Sequence, residues 1–259
     1  MAAPLVTLTS DLGTRDFYVG AVKGALINQV PGVQIVDITH DIQHYNIMEA
    51  AFVVRNAYPH FPEGTVHVVA VRNEYSKETP HVACIYFGHI FIGTDSGIFS
   101  MIFEKEPDII IELPNNGNSP FPARDVFVPA IAKLNELRKV DMLGNRRQRL
   151  NEATMLRPTT EATLIRGTVI YVDNFGNAIT NIKPDVFERI GRGRPFEITF
   201  RGPEYTITRM HNGYGDVPPG ELTALFGISG YLEIAINQGN ASKLLGLRMR
   251  DPIRIEFAE

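Results

Sequence analysis

The chain has 259 residues, of which 44% are hydrophobic and 21% are charged, a composition typical of a folded globular protein rather than a disordered one. Its formal net charge of −4 argues against nucleic acid or an anionic membrane as the main partner, because proteins that bind polyanions normally carry a basic excess. No apolar run approaches the roughly 18 residues that span a bilayer, and the N-terminal residues lack the basic start of a signal peptide.

Short β-rich runs alternate with helical patterns over the first half of the chain. The patterns predict strands at residues 5–9, 33–37, 65–71, 82–87 and 90–93, and helices at residues 16–30, 47–58 and 125–137. The run at 65–71 is apolar without interruption, as expected for a strand that is buried on both faces. This alternation predicts an α/β N-terminal domain with a largely parallel sheet over residues 1–157.

A polar stretch at residues 156–161 separates this pattern from a different one. After it, Gly, Pro and Asn separate short β-rich runs, and little helix fits between them. The runs lie at residues 164–172, 178–182, 195–200, 204–208, 221–226, 231–236 and 253–257. Such a pattern predicts a small all-β barrel as a C-terminal domain over residues 162–259.

Polar side chains cluster where the first predicted strand ends and the first helix begins. Asp11 and Asp16 lie there, in the segment SDLGTRD at residues 10–16. Ligands of open α/β sheets collect outside the carboxyl ends of strands, and a carboxylate at that place can accept two hydrogen bonds from a ribose diol. The alternative is local structure, with Asp16 as a helix N-cap and Asp11 as a turn former. The chain has neither a GxGxxG dinucleotide fingerprint nor a P-loop.

Three other residues of chemical interest are interpreted as structural. His40 and His44 stand four residues apart, but the surrounding sequence supplies neither a third metal ligand nor a base, so we expect no metal. Cys84 lies inside an apolar run and is interpreted as a small buried hydrophobic residue, because a nucleophilic thiol needs an exposed, electropositive setting. As the single cysteine it excludes an intrachain disulfide, so we expect a cytoplasmic protein.

Two polar segments stand out in the second half of the chain. In the segment DNFGNAITN at residues 173–181, an Asn-Gly type of hairpin turn explains Asn174 and Gly176. That turn leaves the carboxylate, ring and amide of Asp173, Phe175 and Asn177 unexplained. Residues 227–241, GISGYLEIAINQGNA, likewise combine a turn, a strand and a helix start with several small and polar groups.

Six segments, in order along the chain, resemble the S-adenosylmethionine hydroxide adenosyltransferase family, whose relatives include the fluorinase and chlorinase that form 5′-halo-5′-deoxyadenosine. They are TSDLGTRDFYVG at 9–20, FPEGTVH at 61–67, IGTDSG at 92–97, RDVFVPA at 124–130, DNFGNAITN at 173–181 and GYLEIAINQGNA at 230–241. The resemblance implies an α/β domain followed by a β-barrel, and a homotrimer. It also implies S-adenosylmethionine as substrate or ligand, with no further cofactor.

The resemblance also implies roles for residues of the predicted N-terminal domain. Asp11 would take the ribose hydroxyls, Asp16 would lie close to the methionine end, and Phe121 would pack beside the sugar. These roles suit a ligand that presents a diol, an ammonium, a sulfonium and a stackable base, because carboxylates and aromatic rings recognise such groups.

In the predicted C-terminal domain, the resemblance implies that Asp173 faces the methionine ammonium. Phe175 and Asn177 would line the adenine side. Ser229 would contact the methionine carboxylate, although Ile228 stands where family members usually carry a second Ser.

The water-activating residues of the family are replaced in this chain. Water-using members carry an Asp-Pro-Gly-Val-Gly loop after the strand that here ends at Val71, then an Arg, and later a Phe-His-Gly-Arg-Asp segment. The resemblance implies that Arg72 occupies the Asp position, Thr79 the Arg position and Pro122 the His position. A positioned base typically contributes ~10²–10⁴-fold to such a reaction, so the catalytic residues stay unassigned and we expect slow or absent hydrolysis.

Three functions stay open. The leading one is a family member that binds S-adenosylmethionine or adenosine, with displacement at C5′ by water as the inherited reaction, giving adenosine and methionine. The second is a catalytically silent nucleoside-binding protein. The third is adenosyl transfer to another anion that Arg72 steers. Glu74 and Glu78, the carboxylates of the replaced loop, are interpreted as part of a solvated, charged stretch rather than as a substitute base.

Overall fold

The computed structural model describes residues 4–114, 119–154 and 156–259. The chain packs into two compact units, Met1–Thr154 and Met155–Glu259. Each unit contains a β-sheet and a hydrophobic core of its own. In the part of the chain that the structure describes, no helix combines the length and the apolar character that crossing a membrane requires.

Within the described residues, seven strands form the sheet of the first unit. They are β1 (Leu5–Ser10), β2 (Gln34–Thr39), β3 (Val66–Ala70), β4 (His81–Tyr86), β5 (His89–Thr94), β6 (Ile109–Glu112) and β7 (Asn145–Arg146). In the spatial order β2-β1-β3-β5-β4-β6-β7, the first four strands are parallel and the remaining pairs are antiparallel. The sheet is therefore mixed, and the prediction of a largely parallel sheet is wrong.

A two-residue turn explains why the sheet is not parallel throughout. Phe87 and Gly88 join β4 to β5 with backbone φ angles of 45° and 75°. Two successive positive φ angles are typical of a type I′ hairpin turn. So short a connection allows antiparallel pairing only, because a parallel crossover needs about a dozen residues or more. β6 then pairs antiparallel with β4, so the antiparallel half of the sheet extends from this hairpin.

The helices of the first unit are α1 (Tyr18–Gln29), α2 (Ile47–Ala57), α3 (Ile98–Ile102) and α4 (Val128–Leu137), with a π-helical turn at Ala123–Phe127 and 3-10 turns at Tyr58–His60 and Val140–Met142. Three of these helices match predicted ones, although two of them, α1 and α4, begin later than predicted, and α3 was not predicted. The side-chain oxygen of Asn46 caps α2 by accepting from Glu49 N at 3.2 Å. α1 begins after Asp16, and its N-cap residue Phe17 makes no side-chain cap, so the N-cap interpretation of Asp16 is wrong.

The core of the first unit supports the carboxyl edge of its sheet. Alternate residues of β1 and β3 point into this core, among them Leu8, Val68 and Ala70. Phe121 and Ala123, which lead into α4, belong to the same core. Close packing of this kind holds backbone positions firmly, so the loops at this edge start from fixed points.

The sheet of the second unit is antiparallel throughout. Its strands are β8 (Thr159–Thr160), β9 (Leu164–Val172), β10 (Ala178–Thr180), β11 (Phe196–Phe200), β12 (Gly202–Ile207), β13 (Leu222–Phe226), β14 (Leu232–Ile236) and β15 (Pro252–Phe257). The strand path runs β12-β11-β15-β9-β10-β14-β13, with β8 beside β9, and hydrogen bonding among the described residues does not close it.

The prediction of a small all-β barrel is therefore wrong. Besides the open strand path, the second unit contains two helices, α5 (Pro184–Gly191) and α6 (Ala241–Leu245). Pro184 suits the first turn of α5, where its missing N–H costs no hydrogen bond. Val186, Phe187 and Ile190 recur at helical spacing and pack against the core of this unit. The sequence pattern did not predict this helix of eight residues, because the charged residues between its apolar positions are also typical of a loop.

Candidate functional site

The carboxyl ends of the parallel strands lie side by side at one edge of the first sheet. Ser10, the last residue of β1, is in register with Ala70, the last residue of β3, and β2 ends just before His40. Asp11, His40 and Arg72 therefore emerge at the same edge. In open α/β sheets this is the edge where ligands bind.

Asp11 is half-buried and is held by the segment that follows β2. Tyr45 N donates to Asp11 Oδ2 at 2.9 Å, and His44 Nδ1 donates to the carbonyl oxygen of Asp11 at 3.0 Å. Tyr45 has a φ of 64°, which is uncommon for a bulky residue. Among the described residues, no donor contacts the other carboxylate oxygen, Oδ1. The carboxylate is thus oriented and keeps one oxygen for a ligand.

An aromatic group lies beside the start of α1. The ring of Phe121, 9% exposed, meets the ring of Tyr18 edge-on, with 5.4 Å between centroids. The guanidinium of Arg124 lies 5.3 Å from the Phe121 centroid, and Phe17 stacks on Tyr18 at 4.4 Å. Phe17 is 69% exposed, so this group offers an aromatic surface that suits a nucleobase or a sugar. Asp16 is exposed, and no hydrogen bond or ion pair holds its side chain within the described residues.

The loop at residues 72–79, where the sequence resemblance expects a water-activating segment, is closed by its own hydrogen bonds. Thr79 N donates to Ser76 Oγ at 3.0 Å, and the two hydroxyl oxygens lie 2.9 Å apart. Hydrogen bonds from its own backbone and from Ser76 lower the pKa of the exposed Glu78. Arg72 is exposed with a φ of 49°, and Glu74 is exposed as well. The Thr79 hydroxyl is therefore hydrogen-bonded within the loop, and a hydroxyl group is too weak a base to activate water.

Pro122 contributes no titratable group at the position that the resemblance assigns to a histidine. It stands before the π-helical turn that leads into α4. Arg124, two residues on, pairs with Asp125 through Nε and Oδ1 at 2.6 Å, and its hydrogen bond lowers the pKa of that carboxyl group. Ser119 Oγ also donates to Asp125, at 2.6 Å. This carboxylate is therefore engaged by neighbours and is a poor base.

In the second unit, the loop after β9 is stabilised from within. Asp173 Oδ1 accepts from Asn177 N at 2.8 Å, and Oδ2 accepts from Asn177 Nδ2 at 2.9 Å. Gly176 has a φ of 86°, and a Cβ at this glycine would lie 2.2 Å from Asn240 Cγ. Phe175 is 75% exposed at the tip. The hairpin interpretation and the binding interpretation are therefore compatible, because the turn leaves the ring free.

A buried glutamate lies in the same unit and was not identified from the sequence. Glu233, on β14, is 3% exposed and accepts from Tyr214 Oη at 2.6 Å. Burial raises the pKa of Glu233, and burial together with the Glu233 carboxylate raises the pKa of Tyr214. The signal was a carboxylate inside the apolar run LEIAI. Ser229 is half-buried in the turn before β14, whereas Ile228 is fully exposed.

The three residues that the sequence predicts to be structural, Cys84, His40 and His44, lie in different surroundings. Cys84 is buried as predicted, and burial raises the pKa of its thiol well above the usual range. His40 and His44 contact different partners, Ser10 and Asp11. In the described ranges, no group of three or more His, Cys, Asp or Glu side chains is arranged to hold a metal ion.

Comparisons with known proteins point to one family. The model of the SAM hydroxide adenosyltransferase N-terminal domain matches residues 6–144, and that of the C-terminal domain matches residues 167–254. An (R)-S-adenosyl-L-methionine hydrolase of Thermus thermophilus is 31% identical and covers 96% of this chain and 98% of its own length. A protein of the same name from Methanocaldococcus jannaschii is 29% identical, with 98% and 96% covered. The crystal structure of an uncharacterized conserved protein from Thermotoga maritima has a TM-score of 0.85 at 28% identity, with 97% of this chain and 99% of that chain covered.

Proposed function

Because this chain belongs to the SAM hydroxide adenosyltransferase family, we propose that it binds S-adenosylmethionine or adenosine and transfers the adenosyl group to water. In this reaction the water oxygen bonds to C5′, and the C5′–S bond breaks with its electron pair going to sulfur. Adenosine, methionine and one proton are released. The two hydrolases named above carry the R descriptor in their names, so we propose the R epimer at sulfur as the substrate.

The observation that carries this proposal is the state of Asp11. Its carboxylate lies at the carboxyl edge of parallel strands, Tyr45 N orients Oδ2, and Oδ1 has no donor among the described residues. A carboxylate with a free oxygen is suited to accept hydrogen bonds from vicinal hydroxyls. We propose that Asp11 binds the ribose diol, that Phe121 packs beside the sugar, and that Asp16 lies close to the methionine end of the ligand.

For the second unit we propose ligand contacts from Asp173, Phe175, Asn177 and Ser229. The exposed ring of Phe175 supports a stacking role toward adenine, and we propose that Asn177 lines the adenine side as well. Asp173 is proposed to attract the ammonium of methionine and Ser229 to contact its carboxylate. Because both Asp173 oxygens already accept from Asn177, an ammonium would use their remaining lone pairs.

We propose that hydrolysis by this protein is slow. Thr79 is engaged with Ser76, Pro122 has no titratable group, and Arg72 is a cation, so the loops that would supply a base for water contain none at the three expected positions. Methionine leaves as a neutral thioether and needs no acid, but neutral water is a poor nucleophile. We expect a rate at least ~10²-fold below that of a relative with the complete set, because that is the smaller contribution of a positioned base.

The test is incubation with each sulfur epimer of S-adenosylmethionine, followed by chromatography for adenosine and methionine. The Thermus thermophilus hydrolase provides the reference rate under the same conditions. Equal amounts of adenosine and methionine, released slowly and lost in Asp11→Ala, would support the proposal. A rate comparable to the reference would contradict slow hydrolysis, and Glu74→Gln and Glu78→Gln would then identify a base. Adenosine binding without turnover would favour the silent nucleoside-binding protein.

One observation favours a second candidate, adenosyl transfer to another anion. Arg72 follows β3 at the carboxyl edge in a left-handed conformation, and no hydrogen bond or ion pair holds its side chain in the described ranges. Strained backbone of this kind is concentrated at functional sites. Halide added to the assay would then yield a 5′-substituted deoxyadenosine, and Arg72→Ala would abolish that product while preserving adenosine binding.

The assembly and the location of the protein are also proposals. We propose a homotrimer on the family resemblance alone, and light scattering of the purified protein would measure its mass directly. A dimer or a monomer would contradict it. The cytoplasm is proposed because the one cysteine, Cys84, is buried as a free thiol, which suits a reducing compartment.

A further inference from the structure

A chain of polar contacts runs from the surface of α1 to the end of β1. Lys23 pairs with Asp37, whose Oδ1 lies 3.1 Å from His40 Nε2. His40 Nδ1 in turn lies 2.7 Å from Ser10 Oγ. Ser10 and His40 are 2% and 5% exposed, whereas the Asp37 side chain remains 38% exposed. The chain therefore links a solvated carboxylate to a buried hydroxyl next to Asp11.

The chemistry of these groups assigns donors and acceptors. Burial raises the pKa of Asp37, but hydrogen bonds from Lys23 and His40 outweigh burial, so the net shift is downward and Asp37 is a charged acceptor. His40 Nε2 lies within ion-pair distance of the Asp37 carboxylate, so the negative charge favours the imidazole tautomer whose proton is on Nε2. In a neutral imidazole this leaves a lone pair on Nδ1, and Ser10 Oγ donates to it. Each member therefore orients the next.

The same residues join the two segments that hold Asp11. Gly13 N donates to the carbonyl oxygen of His40 at 2.8 Å, and Ile42 N donates to the carbonyl oxygen of Ser10 at 3.4 Å. Tyr45, three residues beyond Ile42, donates its N–H to Asp11 Oδ2. His40 thus lies where the loop after β1 and the loop after β2 are joined. A shift of His40 would move the donor that orients Asp11.

We propose that Ser10, His40 and Asp37 are positioning residues for the ribose diol. They touch no ligand themselves. They hold residues 40–45 against the end of β1, so that Tyr45 keeps Oδ2 of Asp11 and Oδ1 faces the hydroxyls. This inference rests on the proposed function, because it requires Asp11 to bind the diol.

Calorimetric titration with adenosine and with 2′,3′-dideoxyadenosine tests the positioning role, because the second ligand lacks the diol. Ser10→Ala and Asp37→Ala are expected to weaken adenosine binding about five- to tenfold, as the loss of one polar contact would. Both variants are expected to bind the dideoxy ligand within about twofold of the wild type. A purely structural role would weaken both ligands alike.

Two further variants sharpen the test. Asp37→Asn keeps a polar oxygen beside His40 Nε2, so it is expected to restore adenosine affinity to within about twofold of the wild type. Asp41→Asn removes one negative charge from the same segment, where the exposed Asp41 side chain has no partner among the described residues. It is the matched control and is expected to leave both affinities unchanged.

The outcomes separate this inference from the proposed function. Unchanged adenosine affinity in Ser10→Ala and Asp37→Ala, or equal weakening of both ligands, would overturn the positioning role. If Ser10→Ala fails to fold, Asp37→Ala decides, since its side chain reaches the solvent. Asp11→Ala tests the contact between Asp11 and the ribose diol, which is the ribose anchor. If this variant removes the preference for adenosine over the dideoxy ligand, the role of Asp11 is supported, whatever the effect of Ser10→Ala. If the wild type shows no such preference, the anchor fails and the positioning role fails with it.

Discussion

Asp11 and Asp173 each follow the carboxyl end of a strand, yet the protein holds the two aspartates in different ways. Asp11 Oδ2 accepts from Tyr45 N, which lies 34 residues further along the chain, and Oδ1 has no donor among the described residues. Both oxygens of Asp173 accept from Asn177, which lies four residues on. The first aspartate is held by a distant segment, and the second closes its own loop.

This difference determines what each carboxylate can do. A carboxylate that stabilises its own turn has fewer lone pairs left for a ligand, whereas one that is oriented from outside keeps an oxygen free. Changes at a distance, such as those at His40, should therefore affect Asp11, and local changes should affect Asp173. The following predictions test this contrast, from the largest expected effect to the smallest.

Gly176→Ala is expected to lower the free energy of unfolding by about 3 kcal/mol. The new Cβ would meet Asn240, whose side chain caps α6 through Lys243 N at 2.7 Å, and the alanine would hold a φ of 86°. Loss of the cap and the left-handed backbone each cost about 1–2 kcal/mol. Urea denaturation with amide hydrogen exchange would locate the loss in the second unit. Gly220→Ala is the control, since Gly220 has a φ of 85° and a Cβ added there would meet no other atom within 4 Å. An equal loss in both variants would contradict the contact with Asn240.

Asp173→Ala is expected to destabilise the second unit by about 2 kcal/mol. It leaves the N–H and the side-chain amide of Asn177 without their acceptors, and Asn177 is 6% exposed, so water cannot fully replace them. Asp173→Asn keeps one acceptor oxygen and should recover about half of the loss. Amide exchange of residues 173–177 measures the effect. Unaltered protection in Asp173→Ala would show that the turn does not depend on this carboxylate.

Asp11→Ala is expected to weaken adenosine binding at least about tenfold, or about 1.4 kcal/mol, because the free carboxylate oxygen is lost to the diol. Its effect on stability should be smaller than that of Asp173→Ala, since only Tyr45 N loses a side-chain acceptor. Calorimetry measures the affinity, and Asp41→Asn again serves as the control. An unchanged affinity would remove Asp11 from the binding site.

Acidification is expected to weaken the first unit more than the second. His67 is buried on β3, with Nδ1 2.7 Å from Thr7 Oγ1 and Nε2 3.1 Å from His89 Nδ1. Burial, and then the charge on His89, lowers the pKa of His67 to about 3. In the unfolded chain the pKa of this histidine is near 6.5, so between about pH 3 and pH 6.5 the unfolded state binds more protons than the folded state. The free energy of unfolding is therefore at its full value above about pH 6.5. It declines as the pH falls toward 3, by at most ~1.4 kcal/mol per pH unit for one proton.

Hydrogen exchange at pH 7 and pH 5, corrected for the intrinsic rate, would measure this contrast. The one histidine of the second unit, His211, is only partly buried, so exchange there should change less. His67→Gln is the matched variant and should flatten the pH dependence of the first unit. An equal acceleration in both units, or an unaltered slope in His67→Gln, would count against the buried histidine as the cause.

Much of the local structure was predictable because it depends on periodicity. The strand predicted at residues 164–172 coincides with β9, and the helix predicted at 47–58 is α2, Ile47–Ala57. Apolar residues recur every second position in a half-buried strand and every three to four positions in a helix, and both periods are visible in the sequence.

The motifs also identified the family, because six short segments in a fixed order are a specific signal, and the family models match both halves of the chain. Asp11 could be singled out from its place at the end of a strand. The short helix α5 was missed because its apolar residues, Val186, Phe187 and Ile190, are few and its other residues are charged.

What the sequence by itself determined is therefore the type of most elements, their order and the family. The tertiary structure alone decided that the first sheet is mixed, that the second is open and carries helices, and that Asp11 receives its hydrogen bond from Tyr45. It also decided that His40 joins Ser10 to Asp37. The physical reason is that such contacts link residues about 30 positions apart. They form only where the register between β1 and β2 aligns the ends of the two strands, and no local pattern in the chain encodes that register.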